Sequence, residues 1–358
     1  MKFTKAVELI AALPGSQAVL LLGPPGTGKT ALARVAGGSG DETIVECRDL
    51  CSHLPEDLLG LPFREAGETR YAPPAWLARL SRPGATGVLV LDDLAAASPA
   101  VQVAAFKLVL ERRSGDCTLA PGVRIVATAN RREDRSNATA LPAALRNRML
   151  ILELDVDLEG WCAWAASRAL APEIPAFLRF RPGHLSRLPK DADARGAFAT
   201  PRAWESLALA LPAARATECV FEIAAGLVGE GAATELAAFL RLRAELPDPK
   251  EVLFHPARTL PRPPSEPDRL VALVTALGEV AAPLSKDARE GRQAAVAFLA
   301  AVVHVAQSAW EYAFAGIATY EANGGDRLGL VAAARAAAHR GSDPRIAELV
   351  RHMKESLS

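Results

Sequence analysis

The segment from Gly23 to Thr30 has the residue types and the spacing needed to hold a chain of phosphates. It reads Gly-Pro-Pro-Gly-Thr-Gly-Lys-Thr and lies between the apolar run Ala18 to Leu22 and the helical stretch Ala31 to Val35. This is the G-x-x-x-x-G-K-[ST] pattern of a P-loop, whose glycines let backbone amides point at phosphate oxygens. The helix that follows adds its positive end. The segment therefore predicts a triphosphate site formed by Gly23, Pro24, Pro25, Gly26, Thr27, Gly28, Lys29, Thr30 and Ala31.

Two side chains of this P-loop have separate predicted roles. Lys29 is expected to reach the β and γ phosphates of the nucleotide. The Thr30 hydroxyl is expected to bind Mg²⁺, a hard ion that prefers oxygen ligands and keeps several waters. The predicted metal ligands are therefore Thr30 and an acid from another part of the chain.

Two adjacent carboxylates, Asp92 and Asp93, follow the apolar run Val88 to Leu91. They lie at the carboxyl end of a predicted strand, where open α/β sheets bind their ligands. Asp92 is expected to hold the magnesium ion together with Thr30. Asp93 is expected to align or deprotonate an attacking water. The alternative interpretation of this pair is a solvated strand end.

Short apolar runs alternate with helical stretches from Ala18 to Leu154 and predict strands. Most of these runs lack a polar alternate face, so both faces should be covered, as in a parallel sheet flanked by helices. The predicted fold class is α/β, a doubly wound parallel sheet of the P-loop type. The predicted strands are Ala18–Leu22, Thr43–Glu46, Val88–Leu91, Arg124–Thr128 and Leu150–Leu154.

Strand patterns stop after about Asp157, and alanine-rich helical segments follow. We therefore predict an α/β core over residues 1–157, a helical lid domain over 158–246 and a helical C-terminal extension over 268–358. The intervening segment, 247–267, holds seven prolines. Because proline interrupts regular structure, this segment is predicted to be an extended linker.

Composition excludes several classes of protein. The 41 basic and 41 acidic residues balance, so bulk charge gives no case for a polyanionic partner. The longest apolar run, Ala294 to Val303, is too short to span a membrane, and the amino terminus lacks a signal-peptide pattern. Five cysteines, an odd number without a C-x-x-C pair, favour free thiols in a reducing compartment. A cytoplasmic protein without membrane insertion is predicted.

The P-loop, the acidic strand end and Asn130, which follows the strand Arg124–Thr128, together resemble the AAA+ ATPases. More narrowly, the sequence resembles the MoxR family over roughly residues 17–207. The segments that carry this resemblance include Asp57-Leu-Leu-Gly60, Pro74-Ala-Trp-Leu77, Val126-Ala-Thr-Ala-Asn130 and Leu141-Pro-Ala-Ala-Leu-Arg-Asn-Arg148. The resemblance implies that ATP is the nucleotide, that Mg²⁺ accompanies it and that the chain hydrolyses it.

The resemblance also implies roles for four polar residues. Asn130 matches the sensor 1 residue, which lies near the γ phosphate. Arg148, or alternatively Arg146, matches the arginine finger, which acts on the nucleotide of a neighbouring subunit, so a homo-oligomer, typically a hexameric ring, is implied. Arg202, within Thr200-Pro-Arg202, matches the sensor 2 residue. The full set of predicted catalytic residues is Lys29, Asp92, Asp93, Asn130, Arg146, Arg148 and Arg202.

Two insertions match hairpins of the family that face the pore of the ring: Pro55 to Tyr71 and Arg113 to Gly122. The implied function is remodelling of a protein client, with a separate von Willebrand factor A domain protein as partner. Related AAA+ groups with the same hairpins translocate DNA, so a nucleic-acid motor is the alternative. Asp93 stands where the family usually has glutamate, which predicts slow hydrolysis and leaves an ATP-binding scaffold as a third hypothesis.

Overall fold

The computed structural model describes residues 1–38, 42–131, 141–189, 196–286, 291–307, 310–326, 329–333, 345–346, 348–349 and 351. Its described residues form two compact units, one ending at Asp157 and the other beginning at Leu158. None of the described helices combines the length and the apolar character needed to cross a lipid bilayer.

The first unit contains both strands and helices. Its described strands are β1 (Val19–Leu22), β2 (Ile44–Asp49), β3 (Leu61–Glu65), β4 (Glu68–Ala72), β5 (Thr86–Asp92), β6 (Arg113–Ser114), β7 (Cys117–Thr118), β8 (Gly122–Ala129) and β9 (Leu150–Glu153). Its described helices are α1 (Phe3–Ala12), α2 (Lys29–Val35), α3 (Pro55–Leu59), α4 (Ala75–Leu80), α5 (Pro99–Glu111) and α6 (Ala143–Arg146).

Five of these strands form a parallel sheet in the order β2-β5-β8-β1-β9. Alternate residues of β5 enter different apolar clusters. Val88 and Val90 pack in the cluster that contains α1 and α2, whereas Leu89 and Leu91 pack in the cluster that contains α4 and α5. Both faces of the sheet are therefore covered, and the predicted doubly wound parallel sheet is confirmed.

The edge strand β2 extends three residues beyond its predicted end at Glu46, to Asp49. Arg48 and Asp49 are polar, so the apolar pattern did not predict this extension. Glu46 is nevertheless only 7% exposed. It forms ion pairs with Arg48 at 2.7 Å and with Arg79 at 2.6 Å, so its charge is compensated within the fold.

A hairpin lies within each of the two insertions. Strands β3 and β4 pair antiparallel, and all ten of their residues are exposed. Strands β6 and β7 form a much shorter hairpin. The two are joined by a hydrogen bond from the Tyr71 amide to Asp116 Oδ2 at 3.0 Å, and Ser114 Oγ donates to Leu58 O at 2.8 Å. The hairpins are therefore anchored together on one part of the first unit.

The described elements of the second unit are helical. They are α7 (Leu158–Ser167), α8 (Glu173–Phe180), α9 (Pro201–Ala216), α10 (Val220–Val228), α11 (Glu230–Ala244), α12 (Pro249–Phe254), α13 (Pro256–Thr259), α14 (Pro267–Leu284), α15 (Gly291–Ala306) and α16 (Trp310–Ala322). Helices α14 and α16 approach so closely that a Cβ on Gly278 would lie 2.5 Å from Gly316 O. Phe298 and Tyr320 stack with ring centroids 4.9 Å apart.

The prediction that 247–267 lacks regular structure was wrong. Helices α12 and α13 lie within this segment, and Val252 and Leu253 of α12 are buried in the same apolar cluster as α14, α15 and α16. Pro249, Pro256 and Pro267 each occupy the first position of a helix, where the missing amide hydrogen is not needed. These three prolines therefore begin helices. The predicted division of this unit into a lid and an extension stays a prediction.

Candidate nucleotide-binding site

The P-loop connects β1 directly to α2. Its backbone conformation and close contacts explain why three of its positions are glycine. Gly26 and Gly28 have φ angles of 74° and 85°, in the left-handed region that favours glycine. A Cβ on Gly23 would lie 2.8 Å from Leu154 O, so the close approach of these two segments requires the absence of a side chain. Thr27 Oγ1 donates to Pro24 O at 2.9 Å and closes the turn.

Lys29, the first residue of α2, lies beneath this loop and is only 7% exposed. Its Nζ donates hydrogen bonds to Gly23 O at 2.9 Å, to Pro24 O at 2.8 Å and to Asn130 Oδ1 at 2.7 Å. The cation is thus held between the P-loop and the end of β8. Ala31 lies on the exposed side of the first turn of α2.

Thr30 faces Asp92, the last residue of β5. The Thr30 hydroxyl lies 2.8 Å from Asp92 Oδ1 and 3.0 Å from Asp92 Oδ2. A hydroxyl and a carboxylate are oxygen donors of the type that Mg²⁺ prefers. The residues present therefore fit the predicted ion. Within the described chain, no group of three or more His, Cys, Asp or Glu side chains is arranged to hold a metal, which leaves no competing cluster there.

Thr128, in β8, contacts both acids and was not among the predicted site residues. Its Oγ1 donates to Asp92 Oδ1 at 2.5 Å and accepts a hydrogen bond from the Asp93 amide at 3.1 Å. It is 1% exposed. The sequence offered one signal, a hydroxyl among the apolar residues of a buried strand. That signal gains meaning only when β5 and β8 are known to be neighbours.

Asp93 leaves the strand in a left-handed conformation, with φ 53° and ψ 40°. Aspartate tolerates this conformation better than most residues with a side chain. Asn130 follows β8, and Arg131 beyond it donates to Leu154 O at 3.0 Å. This bond ties the segment after β8 to the segment after β9, next to the P-loop.

Acidic residues cluster at the carboxyl ends of β2 and β5, where Asp49 pairs in register with Asp92. Burial raises the pKa of the Cys47 and Cys51 thiols, and the charge of Asp92 adds to this effect at both residues. Nearby carboxylates therefore raise both pKa values, while Arg34 and Arg48 lower that of Cys47. The same carboxylates favour a bound cation.

The two arginines matched to the finger lie elsewhere on the first unit. Leu150, at the start of β9, pairs with Val19, at the start of β1. Arg148 therefore lies near the amino-terminal edge of the sheet, whereas the P-loop follows the other end of β1, about 13 Å along the strand. Arg146 ends α6, and both side chains are exposed without a hydrogen-bond or ion-pair partner among the described residues.

Arg202 belongs to the second unit, where it lies exposed on the first turn of α9. Thr200 caps this helix by accepting a hydrogen bond from the Ala203 amide at 3.1 Å, and Pro201 occupies the first position. The structure thus brings Lys29, Thr30, Asp92, Asp93 and Asn130 together. Within the same unit, it leaves Arg146 and Arg148 outside that group.

Comparison with known proteins identifies one domain. Residues 18–149 match the family described as "AAA domain (dynein-related subfamily)". This range contains the P-loop, both acids and Asn130. No significant match is found among proteins of curated function.

Several solved structures are similar to the chain at low identity. A mutant of RuvB from Thermotoga maritima is 18% identical, with 77% of this chain and 81% of that chain covered and a TM-score of 0.39. NtrX from Brucella abortus in complex with ADP is 16% identical, with coverages of 93% and 67% and a TM-score of 0.38. A DNA polymerase III gamma subunit-related protein from T. maritima is 12% identical, with coverages of 93% and 97% and a TM-score of 0.30.

TM-scores below 0.5 are too low to support a family assignment. The type of the first unit is indicated by the family match and by the sheet that surrounds the P-loop. The first unit therefore has the fold of a P-loop AAA+ α/β core, and residues 18–149 within it match an AAA domain.

Proposed function

We propose that this chain is a Mg²⁺-dependent ATP hydrolase of the MoxR type, which works as an oligomer on a protein client. One observation carries the proposal: the P-loop is linked by side chains to the ends of two sheet strands. Lys29 reaches Asn130 after β8, and Thr30 reaches Asp92 at the end of β5. Groups of different chemical type thus converge beside a loop suited to phosphates.

In this proposal, the P-loop backbone and Lys29 bind ATP. The left-handed conformations of Gly26 and Gly28 support a loop whose amides face phosphate oxygens. Lys29 supplies a fixed positive charge for the β and γ phosphates. Thr30 and Asp92 would hold Mg²⁺, which supplies positive charge that offsets the negative charge developing on the phosphoryl oxygens.

Asp93 and Asn130 act on the attacking water in this proposal. Asp93 accepts its proton or orients it, and the Asn130 amide holds it in place. Aspartate is one methylene shorter than the glutamate usual in the family, so the water must lie closer or be reached through a second water. We therefore expect slow hydrolysis. In the extreme case of slow hydrolysis, the chain would be a scaffold that binds ATP and barely hydrolyses it.

Completion of the site requires a second copy of the chain. Arg148 lies near the edge of the sheet opposite the P-loop of its own subunit, which supports action on a neighbour. A guanidinium supplied by a neighbour stabilises charge in phosphoryl transfer. Arg146 is the alternative finger, and Arg202 is proposed to sense the γ phosphate from the second unit. We propose a hexameric ring from the family resemblance.

A protein client is proposed because the β3–β4 hairpin presents apolar side chains to solvent. Leu61, Phe63 and Tyr71 are 66%, 43% and 36% exposed. Exposed apolar groups of this kind suit protein contacts. A separate von Willebrand factor A domain protein is the proposed partner. The five cysteines are free thiols, which supports a cytoplasmic location.

Phosphate release from ATP, measured with excess Mg²⁺ and with excess chelator, tests the proposal. We expect turnover that requires Mg²⁺ and falls by at least about 100-fold in Asp92→Asn, because the amide removes a charged metal ligand. Asp49→Asn is the matched control, since Asp49 ends the neighbouring strand and its carboxylate caps the turn that follows by accepting from the Cys51 amide. Phosphate release that is the same with excess Mg²⁺ and with excess chelator would contradict the proposal. An equal loss of turnover in Asp92→Asn and Asp49→Asn would also contradict it. Stimulation by DNA that disappears with salt would favour the nucleic-acid motor.

A further inference from the structure

The Thr128 hydroxyl lies in an apolar environment at the centre of the sheet. It belongs to β8, whose neighbouring residues Val126, Ala127 and Ala129 are buried and apolar. A buried hydroxyl destabilises the fold unless it is hydrogen bonded, whereas valine has almost the same shape without this penalty. The presence of a hydroxyl at this position therefore indicates that its hydrogen bonds have a role in the site.

The Thr128 hydroxyl forms two hydrogen bonds, one as donor and one as acceptor. A threonine hydroxyl has one proton to donate and lone pairs to accept. The proton goes to Asp92 Oδ1 at 2.5 Å, a distance typical of a hydroxyl bonded to a carboxylate. The oxygen accepts from the Asp93 amide at 3.1 Å. One side chain thus contacts both acids.

The two contacts fix different features of the acids. The bond to Oδ1 restricts rotation of the Asp92 carboxylate, while Thr30 contacts both of its oxygens as well. The bond from the Asp93 amide holds the chain where it turns from β5 into the left-handed conformation. The orientation of Asp92 and the starting point of the Asp93 side chain therefore depend on the same oxygen atom.

We propose that Thr128 is a positioning residue that sets the orientation of Asp92 toward Mg²⁺ and of Asp93 toward the attacking water. This inference rests on the proposed Mg²⁺-dependent ATP hydrolysis. Groups that orient metal ligands through hydrogen bonds commonly change metal affinity or activity by about 10- to 100-fold when removed. Thr128 acts through the acids and need not touch the nucleotide.

The test compares Thr128→Val, which removes the hydroxyl and keeps the shape, with Thr128→Ser, which keeps the hydroxyl. Equilibrium binding of a fluorescent ATP analogue is titrated with Mg²⁺ and repeated in chelator. We expect Thr128→Val to need about 10-fold or more Mg²⁺ for half-maximal binding, with chelator-stable binding unchanged. Thr128→Ser should stay within about threefold of the wild type. The kcat of Thr128→Val should fall by a similar factor with little change in KM for ATP.

Thr275→Val is the matched control, because Thr275 is fully buried and its hydroxyl donates to carbonyls of its own helix. It should leave the Mg²⁺ requirement and kcat unchanged. Thr128→Ala replaces Thr128→Val if the valine variant does not fold. An unchanged Mg²⁺ requirement in the variant that lacks the hydroxyl overturns the inference alone. A wild-type chain whose nucleotide binding ignores Mg²⁺ overturns the proposed function as well.

Discussion

Lys29 Nζ donates a hydrogen bond to Asn130 Oδ1 at 2.7 Å and thereby joins the start of α2 to the end of β8. The two residues are distant in sequence, and parallel pairing of β1 with β8 brings them together. The contact places a cation and an amide beside the same loop. A change at the lysine proposed to bind phosphate can therefore be transmitted to the residue proposed to hold the water.

Replacing Lys29 by alanine is expected to weaken ATP binding strongly. The substitution removes a charged donor whose hydrogen bonds contribute about 1.5–3 kcal/mol each, so affinity should fall by about 10- to 150-fold. Isothermal titration with ATP and Mg²⁺ measures the change. Lys107→Ala, on the exposed side of α5, is the control and should bind as the wild type does. Equal affinity in the two variants would contradict the role of Lys29.

Replacing Arg148 by alanine is expected to leave ATP binding intact and to reduce hydrolysis by about 10³-fold or more, as for other arginines supplied between subunits. Arg146→Ala is the matched variant, and only one of the two should show this loss. Phosphate release and nucleotide binding are measured on both.

Mixed oligomers test whether the site is shared. Lys29→Ala subunits retain Arg148 but lose ATP, whereas Arg148→Ala subunits retain ATP. Mixing the two inactive variants should restore part of the activity if both assemble. Failure to recover activity in a verified mixed oligomer would remove support for a site completed by a neighbour.

Replacing Asp93 by glutamate is expected to raise the single-turnover rate, because the longer side chain restores the reach that glutamate has in the MoxR family, which the sequence resembles. The left-handed conformation of Asp93 should make the variant less stable by up to about 1 kcal/mol. Rapid-quench measurements and thermal unfolding report the two effects separately. A lower rate in a folded variant would show that chain length does not limit hydrolysis.

Replacing Gly278 by alanine is expected to destabilise the second unit by about 1–3 kcal/mol, because the new methyl group would lie 2.5 Å from Gly316 O and 2.9 Å from the Tyr320 amide. Gly226→Ala, in α10 with open space around it, should instead be neutral or stabilising by up to about 1 kcal/mol. Urea denaturation measures both. Stabilisation of both variants would mean that α14 and α16 do not meet at these glycines.

Replacing Glu279 by glutamine is expected to change the pH dependence of stability. The side chain is only 11% exposed and pairs with Arg243, and burial raises its pKa above the ordinary value near 4.5 despite that partner. A carboxyl with a raised pKa binds its proton more tightly in the folded state. Its contribution to stability is therefore complete below about pH 4.5 and is lost as the pH rises through the folded pKa.

Urea denaturation between about pH 4 and pH 8 measures this effect. The free energy of unfolding of Glu279→Gln, relative to that of the wild type, should increase with pH. The test is the change of this difference with pH and not its size at any one pH. Glu245→Gln, at an exposed position of the same unit, is the control. A flat difference for Glu279→Gln would contradict the raised pKa.

The parts of the fold that sequence predicts best are those fixed by local pattern. The run Val88 to Leu91 predicts a buried strand, and β5 contains it. The P-loop glycines predict a tight backbone turn, and Gly26 and Gly28 adopt it. In both cases neighbouring residues carry enough information, because apolar runs and positive φ angles are local properties.

Features that depend on distant pairing could not be predicted in the same way. Thr128 gains its role only because β5 and β8 are adjacent, and Glu46 can be buried only because Arg48 and Arg79 meet it. Proline count alone could not show whether each proline starts or interrupts a helix.

Glu46 has one consequence beyond the nucleotide site. It lies in β2, which in the described sheet has a neighbour on one side only. An open strand edge invites pairing with another polypeptide and thus aggregation. Glu46 is a buried charged residue on this edge strand, paired with Arg48 and Arg79, and inward-pointing charges are one of the features that make a strand edge a poor partner. This feature discourages growth of the sheet from one molecule into the next.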